Sequence, residues 1–212
     1  MSKRSVRKML GRMASGEPVH VTSAMASMRK LARLGALAQQ FGYDYAHVGQ
    51  GAGPRGDGYV MTLVPDPRPE ARERAARNRA RYPGAADGGA LPPVAPEEVR
   101  LFKARIAYDL SSRLTEKQML WFAGVAFTLL AGAFAFRFRA HPTALVGAAV
   151  GWAVLMALLP VGIVVNRRYK ERNAAMLRAA GFTAVTDDQG TLRYVPPGGQ
   201  LPWRARVLPR QH

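Results

Sequence analysis

Two stretches constrain this chain more than anything else in it. Met119–Phe136 (MLWFAGVAFTLLAGAFAF) runs 18 residues without a charge, with Thr128 as its only hydroxyl, and Thr143–Val165 (TALVGAAVGWAVLMALLPVGIVV) runs 23 without a charge. A helix needs about 20 apolar residues to cross roughly 30 Å of hydrocarbon. It also satisfies its own backbone polar groups, which lipid demands. Only six residues, Arg137–Pro142, separate the two stretches. That length suits a tight antiparallel connection, and Pro142 suits the first turn of a new helix. The expected fold class is a membrane α-helical hairpin of two transmembrane helices, carrying small α+β cytoplasmic elements and basic amphipathic helices.

Small residues recur along both stretches. Gly124, Thr128 and Gly132 fall at four-residue spacing in the first, and Gly147 and Gly151 make a GxxxG in the second. Small side chains let helices approach closely where no water drives association. These five positions are expected at a helix–helix contact, within the hairpin in preference to a foreign helix. No Asp, Glu, Lys, Arg or His lies inside either stretch. Ion pathways and proton relays need such groups, so a pump or carrier formed by this chain alone is not expected.

Charge at the ends of the stretches sets an expected orientation. The connector holds Arg137 and Arg139; the outer flanks hold Lys103, Arg105, Arg113, Lys117, Arg167, Arg168, Lys170, Arg172 and Arg178, nine against two. The positive-inside rule then puts both termini in the cytoplasm of a bacterial inner membrane. The whole chain carries a formal net charge of +17. Beside a membrane this excess attracts anionic headgroups, at about 1 kcal/mol per cation near the surface. Nucleic acid is the other polyanion to consider.

The chain outside the hairpin divides by composition. Residues 1–65 read as a basic helix followed by a helix and a β-hairpin. In Ser2–Met13, Val6, Met9, Leu10 and Met13 make an apolar stripe against Lys3, Arg4, Arg7, Lys8 and Arg12. That is the pattern of a helix lying on a membrane surface. Thr22 or Ser23 is expected to cap a second helix, with Met25, Met28, Leu31, Leu34 and Ala38 as its stripe and Gly42 as its C-terminal stop. Strands are expected over Tyr43–Val48 and Tyr59–Val64. The glycine-rich turn between them contains Arg55-Gly56-Asp57 and lacks the GK[ST] ending of a phosphate loop.

Residues 66–96 read as an Arg-, Pro-, Ala- and Gly-rich linker: Pro65–Arg81 as a polar solvent helix or coil with no apolar face, and Tyr82–Pro96 as flexible chain. Residues 97–117 read as an interfacial amphipathic helix with Val99, Phe102, Ile106, Leu110 and Leu114 on its stripe. Thr115 with Gln118 resembles a capping box that restarts the helix before the hairpin at 118–165. Residues 166–212 read as a basic helical extension, a second β-hairpin around Asp187-Asp188, and a basic tail with Trp203. The two hairpins share an order of helix, glycine, aromatic, strand, turn, strand and Val-Pro. They are expected to pair into one four-stranded sheet.

Chemistry-bearing patterns are missing from the sequence. There is no cysteine, and His20, His47, His141 and His212 form no zinc-binding spacing. There is no P-loop, GxSxG or dinucleotide fingerprint. No catalytic, cofactor-binding or metal residue is assigned, and an enzyme is not expected. The leading expectation is a non-catalytic anchor or scaffold with a cytoplasmic docking surface. Lys3, Arg4, Arg7, Lys8, Arg12, Lys103, Arg105, Arg113, Lys117, Arg167, Arg168 and Lys170 are its candidate contacts to anionic lipid. The alternatives are an accessory subunit of a larger membrane complex, or a tether for nucleic acid. Expected partners are a bilayer with anionic headgroups and a protein in the membrane or cytoplasm, with self-association also open.

Overall fold

The computed structural model describes residues 2–23, 27–52, 58–112, 116–187 and 190–199. Met25, Arg55-Gly56-Asp57, Arg113, Leu114, Thr115, Asp188 and the tail with Trp203 lie outside the described residues. The chain divides into two compact units, one joining Met1–Leu110 to Asn173–His212 and the other covering Ser111–Arg172.

The first unit opens with α1 (Lys3–Met13), β1 (Val19–Ser23), α2 (Met28–Gln40), β2 (Tyr43–Ala52) and β3 (Gly58–Pro65). The three strands form an antiparallel sheet in the order β1-β3-β2. The strand β1 alternates buried and exposed residues along Val-His-Val-Thr-Ser. It pairs with β3 from Val19↔Leu63 to Ser23↔Tyr59. Helix α2 starts later than expected. Ser27 is its cap, accepting the Lys30 amide at 3.4 Å, while Ser23 accepts the Ser27 amide at 3.2 Å. The stop at Gly42 is as expected: its φ of +83° is the left-handed conformation that glycine adopts without strain.

The core of this unit gathers Leu31, Leu34 and Leu37 of α2 with Tyr45, Val48, Met61 and Leu63 of the sheet. The apolar stripe of α1 joins the same core, so Val6, Met9, Leu10 and Met13 are all buried in protein. That corrects the expectation of a helix dipping its apolar face into lipid. The stripe revealed apolar surface in need of cover, and the sheet module provides the cover.

The stretch read as a linker is also folded into this unit. Helix α3 (Pro69–Arg81) has Pro69 in its first turn and buries Ala71 and Ala75. A Cβ on Gly42 would stand 3.0 Å from that of Ala75. From this close seat α3 serves the C-terminal carbonyls of α2, which have no intrahelical donors. Arg74 Nε donates to the Gln39 carbonyl at 3.1 Å, Asn78 Nδ2 to Gln40 at 2.7 Å and Arg79 Nη2 to Phe41 at 3.4 Å. Cations at a helix C-terminus also oppose its dipole. A short 3₁₀ turn at Ala85–Asp87 follows, and Ala85 is buried in the core.

Helix α4 (Pro96–Ser111) is packed on two sides. Phe102 and Ile106 enter the core of α2 and the sheet, whereas Ala104 and Tyr108 meet Ala174, Leu177 and Tyr194. It is therefore an internal helix of the first unit and does not present an apolar stripe to a membrane surface.

The second unit holds two long apolar helices, α5 (Glu116–Arg137) and the first thirty-one residues of α6 (Pro142–Ala179). Both are long and apolar enough to cross a membrane. No residue of α5 is buried. Beyond α6, β4 (Thr183–Thr186) and β5 (Leu192–Val195) pair among the described residues only with each other, as a two-stranded sheet. The expected four-stranded sheet does not form. Instead β1 pairs with the outer edge of β3, and the second hairpin packs through Tyr194 against Ala104 and Tyr108 of α4.

Candidate functional site

The apolar helices carry the first candidate site. Trp121, Leu129 and Phe136 are 63%, 68% and 73% exposed, values that belong to aromatic and aliphatic side chains facing no protein. The contacts between α5 and α6 run antiparallel. Trp152 Nε1 donates to Thr128 Oγ1 at 3.2 Å, Asn166 Nδ2 reaches Met119 Sδ at 3.8 Å, and Arg167 pairs with Glu116 through both carboxylate oxygens. Of the five expected packing positions, only Thr128 takes part. A Cβ built on Gly124, Gly132, Gly147 or Gly151 meets nothing within 4 Å. This corrects the preference for an intra-hairpin glycine seam. The contacts between the helices run through the side chains of Thr128, Trp152, Met119, Asn166, Glu116 and Arg167, and the glycines take no part in them.

The second candidate site is the set of cations. Lys3, Arg4, Arg7, Lys8 and Arg12 stay exposed on the outer side of α1, as do Lys103, Lys117, Arg167 and Arg168; Lys170 is half-buried. Arg105 departs from the set. It is 4% exposed, so it contacts no lipid headgroup. Its Nη1 donates to Asp44 Oδ1 at 2.9 Å and its Nη2 to the Tyr45 carbonyl at 3.2 Å. Its guanidinium also lies 4.9 Å from the centre of the Tyr45 ring and 5.9 Å from that of Phe182.

Around Arg105 runs a buried ionic seam that sequence reasoning missed. Tyr45 Oη donates to Asp109 Oδ2 at 2.7 Å, and Arg193 Nη1 donates to the same oxygen at 3.4 Å. Arg193 Nε donates to Asp187 Oδ2 at 2.8 Å, and Asp187 Oδ1 accepts the Thr191 amide at 2.8 Å. Asp187 is thus a turn former with an ion-pair partner. Beside the seam, Tyr108 and Tyr194 pack edge to face with centroids 4.8 Å apart. Burial drives the Tyr45 hydroxyl well above its ordinary pKa, and the Asp109 charge, with the hydrogen bond to it, adds to the rise. Tyr45 is therefore a neutral donor throughout the physiological range. The Asp44 carboxyl is pushed up by burial, but the Arg105 charge and the hydrogen bonds from Gln39, Arg105 and the Tyr45 amide outweigh that and hold it below its ordinary value. Every member has a partner in the network, which is what low-dielectric surroundings require of buried polar groups. The seam ties β2 and α4 to the hairpin that follows α6, so residues on both sides of the apolar helices share one folded unit.

Among the described residues, no group of three or more His, Asp or Glu side chains stands ready to hold a metal. Comparison of the chain with protein-family models, curated protein sequences and solved structures finds no match.

Proposed function

We propose that this chain is a non-catalytic anchor of a bacterial inner membrane, holding a folded docking unit on the cytoplasmic face. One observation carries the reading. The first unit is assembled from residues before α5 and residues after α6, joined by Tyr108 against Tyr194 and by Asp109 to Arg193. Segments that fold together lie on one side of a membrane, and two crossings return the chain to the side it left. The exposed apolar surface of α5 and α6 needs a non-aqueous neighbour. The surplus of cations flanking the pair supports a cytoplasmic position for the folded unit. Exposed cations on α1 and near the helix ends then hold anionic headgroups electrostatically, without inserting an apolar face.

A second reading, an accessory subunit of a larger membrane complex, is favoured by the open glycine positions on α5 and α6. They leave room for foreign helices to approach. Both readings are tested by purifying the tagged chain from carbonate-washed native membranes in mild detergent, with and without nuclease, and identifying what accompanies it. The expected result is retention in the washed membrane and a nuclease-resistant set of partners. Stoichiometric membrane proteins in that set would select the subunit reading. Release by carbonate would contradict the anchor, and a nuclease-sensitive set of nucleic-acid-binding proteins would replace it with a tether.

A further inference from the structure

A cleft of about 1000 Å³ opens to solvent between α1, α3 and the Ala85–Asp87 turn. Leu10, Met13, Phe41 and Ala85 form its apolar floor. Arg72 and Arg79 of α3 also line it. They are seven residues apart, two helical turns, so they share a face of the helix. The amide of Arg72 donates to the Arg68 carbonyl at 3.2 Å, but its guanidinium makes no hydrogen bond or ion pair among the described residues. The hydrogen bond of Arg79 to the Phe41 carbonyl is long, at 3.4 Å.

The carboxylate lining the cleft, Asp66, is already neutralised. Arg68 holds both of its oxygens at 2.6 to 3.1 Å, and its side chain is 4% exposed. The Tyr43 hydroxyl is likewise committed, donating to the Met13 and Glu17 carbonyls at 2.9 and 3.1 Å. What remains is an apolar floor with two guanidinium groups in excess. The volume falls at the upper end of that of small-molecule pockets, about 300–1,000 Å³. Guanidinium is the side chain best matched to phosphate and carboxylate oxygens.

We infer that this cleft binds a small anionic amphiphile, its phosphate or carboxylate head held by Arg72 and Arg79 and its apolar body lying on Leu10, Met13 and Phe41. The head belongs either to a free metabolite or to a membrane lipid. All the lining residues belong to the first unit, so the inference stands whether or not the chain is an anchor.

The test is calorimetric titration of the full chain, held in nanodiscs of uncharged phosphatidylcholine, with hexyl phosphate. Inorganic phosphate, hexanol and empty nanodiscs are the comparisons. Hexyl phosphate is expected to saturate one site per chain, about tenfold or more tighter than inorganic phosphate. Arg72→Gln combined with Arg79→Gln is expected to weaken it about tenfold or more. Ala86→Trp, placed at an exposed alanine of the cleft wall, is expected to block it. Arg72→Gln alone removes no internal bond, so its effect reads binding and not folding. Loss of the titration in nanodiscs containing phosphatidylglycerol would identify a lipid head; an unchanged titration would identify a free ligand. The inference is overturned if no heat exceeds that of empty nanodiscs, if inorganic phosphate binds as tightly as hexyl phosphate, or if the arginine and tryptophan variants bind like the parent.

Discussion

Arg105→Ala is expected to destabilise the first unit by about 3–5 kcal/mol, the cost of breaking a buried ion pair by removing one partner. The side chains of Arg105 and Asp44 are 5% and 11% exposed, so water repairs little of the loss. Without the guanidinium, Asp44 keeps only the Gln39 amide as a side-chain donor, at 3.0 Å. The Tyr45 carbonyl loses a donor, and the rings of Tyr45 and Phe182 lose a cation. A double substitution, Arg105→Met with Asp44→Leu, is expected to lose less than Arg105→Ala alone, because it strands no buried charge.

The pH dependence has a defined sign. In the parent, Asp44 has a folded pKa below its unfolded value. Its contribution is therefore present above the unfolded pKa, about 3.9, and is lost as pH falls through the lower folded value. In Arg105→Ala only the hydrogen bonds from Gln39 and the Tyr45 amide still oppose the burial effect, and Asp44 takes up a proton at a higher pH than in the parent. The gap in stability between parent and variant is expected to narrow from pH 7 towards acid. Amide hydrogen exchange in β2 and β3 of the full chain in micelles measures it. A variant whose β2 and β3 exchange as slowly as the parent's would show that the seam contributes nothing.

The second large effect is expected at Gly35. A Cβ there would stand 2.1 Å from Cζ and 2.2 Å from Cε1 of Phe102. Alanine in place of a mid-helix glycine is ordinarily worth about 1 kcal/mol. Here the clash outweighs it. The Phe102 ring is 4% exposed and edge-on to Tyr45, with centroids 5.6 Å apart, so it has nowhere to turn. Overpacking of this kind costs about 1–3 kcal/mol, and α4 must shift to relieve it. Gly35→Ala is expected to destabilise by about 2 kcal/mol, and Phe102→Ala by about 3–5 kcal/mol. The diagnostic result is coupling: in a Phe102→Leu background the alanine is expected to cost far less, because the ring edge it strikes is gone. Equal costs in the two backgrounds would show that α2 and α4 are not in this contact.

What the sequence disclosed and what it hid divide along physical lines. The two apolar helices were legible because an uncharged run of that length has few other uses. The stripe of α1 was legible as a stripe, but its periodicity states only that one face needs cover. Whether lipid or a protein core provides the cover depends on residues far along the chain. Arg105 read as a surface cation because its partner Asp44 is 61 residues away. In α3 the arginines masked a signal that was present: Ala71, Ala75 and Asn78 fall on one helical face, and that face meets the end of α2. The alternation in Val19–Ser23 was equally readable as a strand. A cap at Thr22 or Ser23 turns the same five residues into the approach to a helix, and that reading hides the strand that sets the sheet order.

The most direct test of two crossings with one cytoplasmic folded unit is labelling with a membrane-impermeant maleimide. The chain has no cysteine, so Lys3→Cys, Ala140→Cys and Leu192→Cys each give a single reporter. These positions are exposed before α5, between α5 and α6, and in β5. In spheroplasts, Ala140→Cys is expected to label at once, and Lys3→Cys and Leu192→Cys only after lysis. Labelling of Lys3→Cys and Leu192→Cys from opposite sides, or of all three in intact spheroplasts, would contradict the account.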